Sequence, residues 1–273
     1  MTGGKHPYRP IGVFDSGVGG LTVCRKIMET LPAESIVYLG DTARVPYGSK
    51  SPETVIRYAQ SCTELLIRHN IKILVIACNT ASAFALEALR QRLPIPVVGV
   101  IEPGARAACN CTTNGHVGVI GTRGVIGSNI YTKTIQHLRP ESRVYGVACP
   151  LFVPFAEEGW VEGPIIKEVA AAYLTELIEE KIDTLVLGCT HYPLLRTIIA
   201  EIMRPDIRLV GSAGETAKAV ARIMQGAGLN HKSGEQGMHR FLVSDGPEGF
   251  FRIAARFFGQ PLNEVEWVDI CTG

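Results

Sequence analysis

The sequence predicts an α/β protein built from two similar parallel-sheet domains, related by internal pseudo-symmetry, with a ligand cleft between them. Three observations carry this expectation. Short β-branched, apolar runs alternate with helical patterns along the chain. Those runs are apolar throughout rather than alternating, as strands covered on both faces should be. Two segments also recur in the same order: GVFDSGVGG (Gly12–Gly20) resembles GVIGTRGVIGS (Gly118–Ser128), and LVIACNTASA (Leu74–Ala83) resembles LVLGCTHYPLL (Leu185–Leu195). Their spacing repeats as well, with 63 positions from Asp15 to Cys78 and 67 from Thr122 to Cys189.

Taken in order, the strands read as Ile11–Phe14, Ile36–Leu39, Ile73–Ala77, Val97–Ile101, Val117–Ile120, Val144–Ala148, Thr184–Leu187, Arg208–Val210, Phe241–Val243 and Val265–Val268. Between them, Gly20–Leu31 puts Leu21, Cys24, Met28 and Leu31 on one helical face, and Pro52–Asn70 and Thr80–Leu93 also suit helices. Ile165–Glu180 places Val169, Tyr173, Leu174, Leu177 and Ile178 at helical spacing. Ten strands are many for one open sheet. The expected division is residues 1–99 plus 211–273 as one discontinuous domain and 100–210 as the other. Linkers near Val98–Pro103 and Val210–Gly214 bracket the middle.

The chain of 273 residues is 46% hydrophobic and 19% charged, which excludes global disorder. Its 27 basic and 26 acidic residues leave a net charge of +1, so nothing in the balance points to a nucleic-acid partner. No apolar run approaches the ~18 residues of a membrane span, and no export signal precedes the first strand, so a cytoplasmic protein with reduced thiols is expected. Eight cysteines are then buried hydrophobes or chemical groups rather than disulfide staples.

Cys78 and Cys189 stand apart. Each ends an apolar strand, and each is followed by small polar residues suited to a helix start, Asn79-Thr80 and Thr190-His191. In parallel α/β sheets ligands bind at the carboxyl ends of strands, and a helix N-terminus both activates a thiol and grips a carboxylate. Either cysteine alone reads equally as packing. Two thiols placed equivalently in facing domains suit a reaction with a base on one face of a carbon and an acid on the other, which is inversion at a Cα. A free thiol with a pKa of ~8.5 needs help to act as a base near neutrality. Asp15 and His191 are the candidate assistants; Asp15 also reads as the N-cap of the following helix, and His191 as a polar helix-start residue. Asp15–Gly20 is not a dinucleotide fingerprint, because Thr22 stands where GxGxxG needs glycine. Pro46-Tyr47-Gly48 reads as a turn, with Tyr47 packing or closing over a ligand.

These motifs resemble the glutamate racemases of the cofactor-independent aspartate/glutamate racemase superfamily. The resemblance rests on FDSGVGGLTV (Phe14–Val23), GDTARVPYGSK (Gly40–Lys50), ACNTASA (Ala77–Ala83), PLFVPFAEEG (Pro150–Gly159) and GCTHYPLL (Gly188–Leu195), spread over most of the chain in the family's order. It implies interconversion of L- and D-glutamate in the interdomain cleft without cofactor or metal, supply of D-glutamate for peptidoglycan, and a homodimer. Carried over by position, Cys78 and Cys189 resemble the family's two proton carriers, with Asp15 and His191 as polar assistants. Asp15, Ser16, Tyr47, Gly48, Asn79, Thr80, Thr122, Thr190 and His191 resemble its substrate-binding set. Glu157 matches an acidic residue near the family's cleft; a solvated loop carboxylate is the other reading. Val125 stands where the family usually carries a second threonine, which puts one hydroxyl contact from that loop in question.

Cys109-Asn110-Cys111 with His116 lacks an evident fourth zinc ligand and reads as a surface segment before a strand. Cys24, Cys62 and Cys149 read as structural, and Cys271 as incidental. Phe250, Phe251, Phe257 and Phe258 read as the core face of a late helix. Aspartate or another small acid remains an alternative substrate, and a non-catalytic amino-acid binding module an alternative class. The absence of CxxC argues against a thiol–disulfide oxidoreductase.

Overall fold

The structure, a computed structural model, describes residues 6–231 and 234–270. Strands β1 (Ile11–Asp15), β2 (Ile36–Gly40), β3 (Ile73–Ile76) and β4 (Val97–Gly99) form one sheet in the order β2-β1-β3-β4. Strands β5 (His116–Gly121), β6 (Arg143–Ala148), β7 (Thr184–Gly188) and β8 (Arg208–Gly211) form a second in the order β6-β5-β7-β8. Adding four to each strand number converts the first order into the second. The repeat in the sequence is therefore a repeat in topology, with β1 equivalent to β5 and β3 to β7. The chain then returns to the first sheet with β9 (His239–Val243) beside β2 and β10 (Glu266–Trp267) at the edge. Neighbouring strands are parallel in both sheets.

Eleven α-helices cover the faces among the described residues: α1 (Leu21–Thr30), α2 (Pro52–Arg68), α3 (Asn79–Arg92), α4 (Ile101–Cys111), α5 (Arg123–Gly127), α6 (Ile130–Leu138), α7 (Phe152–Glu158), α8 (Pro164–Glu179), α9 (Arg196–Ile202), α10 (Ala213–Ala227) and α11 (Pro247–Phe258). Strand periodicity divides the burial. Ile11 and Val13 face one layer of the first sheet with Leu21, Val220 and Phe250, while Phe14 faces the other with Leu66 and Ala85. In the second sheet Leu185 and Leu187 pack under Phe152 and Leu174, and Val186 packs on the opposite face with Ala105 and Tyr131. Each sheet is thus a three-layer α/β/α unit with apolar cover on both faces.

Each of the ten expected strands is present. The rule that strands are buried throughout holds for β1 and β7 and fails for β6, whose residues are exposed or half-buried. Its place at the edge of the four-stranded sheet is the reason. Cys109 and Cys111 lie half-buried near the end of α4, seven and five residues before β5 begins at His116. Phe250, Phe257 and Phe258 are core, but Phe251 points outward, at 44% exposure. Cys24, Cys62 and Cys149 are buried, and the seven described cysteines are free thiols. Cys271 lies outside the described residues. Among the described residues no helix is long and apolar enough to cross a membrane.

Candidate active site

Strand β3 ends in the buried run Ile73–Ile76, and Cys78 is the N-cap of α3 immediately beyond it. Its sulfur accepts the Ala81 N–H at 3.5 Å, and its thiol donates to the Ser16 hydroxyl at 3.6 Å. Helix α3 is fourteen residues long with Arg90 and Arg92 in its last turn, so its dipole is well complemented and its positive end points at the sulfur. Burial pushes the Cys78 thiol up to about 12, and the nearby Asp15 carboxylate adds to the rise.

Cys189 follows β7 in the same way, but no long helix follows it. The chain makes a 3-10 turn over Tyr192–Leu195 before α9. Its polar neighbour is a side chain: His191 Nδ1 lies 3.8 Å from the Cys189 sulfur, and His191 Nε2 lies 2.9 Å from Glu157 Oε1. Burial opposes the charged imidazolium, but Cys189 and Glu157 together outweigh it and hold His191 up at about 10. Glu157 is therefore not a solvated loop carboxylate. It sits in α7, which ends one residue later at Glu158 and is capped by Gly159 in the left-handed conformation.

Both sulfurs line one cavity of about 110 Å3. A single water occupies ~10–15 Å3 by this measure, so the space suits a molecule of several heavy atoms. Ser16, Tyr47, Gly48, Asn79 and Thr80 line it from the first-sheet side, and Thr122, Thr190 and His191 from the second. Asp15 and Glu157 stand behind this wall rather than in it. Asp15 is fully buried; its Oδ2 accepts the Gly17 N–H at 3.0 Å, and its Oδ1 has no hydrogen-bond partner among the described residues. Burial raises its pKa, opposed by His191 and by the Gly17 and Gly20 amides. It is not the N-cap of α1, a position that falls to Gly20 five residues on.

The two sides of the cavity meet through small groups. Thr80 Oγ1 and Thr122 Oγ1 are 3.0 Å apart and buried. A Cβ on Gly48 would come within 2.6 Å of the Thr122 side chain, and one on Gly19 within 2.3 Å of Thr190 Oγ1, so only glycine permits these approaches. Thr122 caps α5 by accepting the Val125 N–H at 3.2 Å, while the Val125 side chain is buried beneath. Tyr47 forms cavity wall, and its hydroxyl is committed to Asp41, which also accepts from Arg44 at 2.7 Å and Ser244 at 3.0 Å.

Several residues of the site escaped sequence reasoning. Tyr131 on α6 donates to Asn79 Oδ1 at 2.8 Å, leaving the buried Asn79 Nδ2 without a partner among the described residues. Val153 and Pro154 form an apolar wall, and exposed Arg123 stands at the rim. Val153 and Pro154 lie inside PLFVPFAEEG, a segment from which only Glu157 stood out in the sequence. Tyr131 carries no local signal at all.

Residues 11–220 match the family model described as Asp/Glu/Hydantoin racemase. The chain is 55% identical over 264 residues to a glutamate racemase of Geobacter metallireducens, spanning 97% of this chain and 98% of the relative. Among solved structures, glutamate racemase isoform RacE1 from Bacillus anthracis superposes with a TM-score of 0.92 at 42% identity, covering 97% of this chain and 98% of that one. A glutamate racemase from Francisella tularensis, solved in complex with D-glutamate, gives a TM-score of 0.92 at 37% identity over 98% of this chain and 100% of that one.

Proposed function

Because the chain belongs to the Asp/Glu/hydantoin racemase family and is an amino-acid racemase, we propose that it interconverts L- and D-glutamate by proton transfer between Cys78 and Cys189. The observation that carries this reading is that two thiols, each ending an equivalent strand of one repeat, line the same small cavity. A glutamate bound between them has its Cα–H facing one sulfur. That sulfur, as thiolate, takes the proton, and the electron pair passes into the α-carboxylate as a planar enediolate. The opposite thiol then protonates the other face. One proton enters, one leaves, and the two sulfurs exchange protonation states, so the reverse reaction starts from the form the forward reaction ends in.

The surroundings support these roles. A cationic imidazole beside a sulfur is the usual device for a reactive thiolate, and Glu157 keeps His191 cationic next to Cys189. Burial and Asp15 keep Cys78 protonated in the same resting enzyme, ready to serve as the acid. The backbone N–H groups opening α3, the unpartnered Asn79 Nδ2 and the Thr80, Thr122 and Thr190 hydroxyls offer neutral donors to the substrate carboxylates. The reaction lies between domains of residues 1–99 plus 211–273 and 100–210, and in a bacterial cytoplasm its D-glutamate feeds peptidoglycan assembly.

The test is incubation of the purified protein with L-glutamate in deuterated water without added cofactor, with L-aspartate in parallel. D-Glutamate deuterated at Cα is expected. Label in aspartate but not in glutamate moves the substrate assignment, and binding with no exchange of either acid reduces the protein to a binding module.

A further inference from the structure

Helix α11 lies between β9 and β10 of the first sheet, yet two of its residues reach the Cys189 side of the cavity. Buried Phe257 sets its ring edge-on to His191, with centroids 5.1 Å apart and planes at 74°. Its neighbour Arg256 crosses to α7 and donates from its guanidinium to the backbone carbonyl of Glu157 at 2.8 Å. Helix α7 has seven residues and no basic side chain in its own last turn. A helix so short holds its place through outside contacts, and its final carbonyls form the negative end of its dipole. The guanidinium supplies both a donor and a charge at that end. It also packs closely there, since a Cβ on Gly159 would fall 2.6 Å from Arg256 Cζ.

We infer that Arg256 is a positioning residue for the Glu157–His191 pair: by pinning the end of α7 it fixes the Glu157 carboxylate against the imidazole, and through the imidazole the charge beside Cys189. This rests on the role proposed above for His191. The titratable groups facing His191 are Glu157 from α7, Cys189 beyond β7 and Asp15 at the end of β1. Arg256 acts on the first of these and touches neither sulfur. Outer partners that orient a working side chain commonly matter about tenfold.

Arg256 is exposed, so its replacement leaves the core intact. The experiment measures kcat/KM for glutamate against pH, with the thermal midpoint recorded, for the wild type, Arg256→Ala, Arg256→Lys, Glu157→Gln and the Ala/Gln double variant. Protonated His191 is the working form, so losing its carboxylate partner lowers its pKa and moves the alkaline limb to lower pH. Glu157→Gln is expected to move that limb by about one unit or more. Arg256→Ala is expected to move it by about half a unit and to lower kcat/KM by roughly 3- to 10-fold. Arg256→Lys, which keeps a cation at the helix end, restores the limb, and the double variant shifts no further than Glu157→Gln alone. An unmoved limb in Glu157→Gln overturns the His191 reading and this inference with it. A limb that moves in Glu157→Gln but not in Arg256→Ala overturns the positioning role alone, as does a double variant whose shift is the sum of the singles.

Discussion

Cys78 and Cys189 follow equivalent strands, but the first has a buried carboxyl behind it and the second an imidazole beside it. Strand β1 ends on Asp15, whereas its counterpart β5 ends on Gly121, so the second repeat carries no carboxylate at that station. Past Cys78 the chain runs directly into fourteen residues of helix; past Cys189 it makes a 3-10 turn, and His191 stands at the position held in the first repeat by Thr80, the second residue of α3. The symmetry thus belongs to the backbone, which brings two sulfurs to one cavity. The asymmetry belongs to the side chains, which give the two sulfurs different surroundings, Asp15 near Cys78 and the His191–Glu157 pair beside Cys189. A two-base site needs both, because two thiols in identical surroundings have no built-in reason to share a single proton.

The largest effect comes from erasing either member of the pair. Cys78→Ser and Cys189→Ser are each expected to lower racemisation by about 10³-fold or more in both directions, because in the proposed cycle each sulfur serves as base one way and acid the other. Following the optical signal from each pure enantiomer measures this. A variant that retains full rate in either direction breaks the two-base reading.

The charged partners come next, and they distinguish the halves. Asp15→Asn and His191→Asn are each expected to cost roughly 10- to 100-fold in turnover, with opposite preferences between L- and D-glutamate in kcat. Their stability effects occupy separate pH windows. Asp15 binds its proton more tightly in the folded than in the unfolded chain, so its contribution falls as pH rises from 3.8 through its raised value. Asp15→Asn should therefore raise the thermal midpoint at neutral pH and lose that gain in acid. His191 is raised from 6.5 to about 10, so its contribution is complete below 6.5 and disappears as pH climbs through 10. His191→Asn should flatten the stability curve across that alkaline span. Thermal melts at stepped pH check both, and a shared window for the two variants contradicts the division of charge.

The smallest effect lies at the seam. Thr80→Val removes one of the two partners of the buried Thr122 hydroxyl, leaving only the Val125 N–H, and is expected to cost about 1–2 kcal/mol by denaturant unfolding, with a few-fold rise in KM and little change in pH profile. A changed pH profile would mean that the hydroxyl pair belongs to the charge network after all.

Much of this was legible in the chain itself. Apolar, β-branched runs mark the central strands such as β1, β3 and β7, because strands sandwiched between helices have no polar face to confuse the pattern. The repeat marks the topology, and the cysteines read as functional because strand ends are where parallel sheets hold ligands. What stayed hidden is contact between distant elements. Glu157 reads either as the family's cleft acid or as a solvated loop carboxylate until His191, 34 positions away, is seen against it. Arg256 and Phe257 lie further still along the chain, and only the return of the last strands to the first sheet brings them over α7. Asp15 misled as a cap because the glycine-rich segment delays the helix to Leu21, leaving the carboxylate folded back on the Gly17 amide.

The Cys78 sulfur has a second duty as the acceptor that closes the first turn of α3. In the proposed cycle it alternates between thiol and thiolate, and a thiolate is the stronger acceptor. The Ala81 amide proton is therefore tied to the chemistry: its resonance and its protection against solvent exchange should differ between enzyme that has just released one enantiomer and enzyme that has just released the other. In that cycle the helix carries a memory of the last turnover, readable from the backbone without touching the substrate.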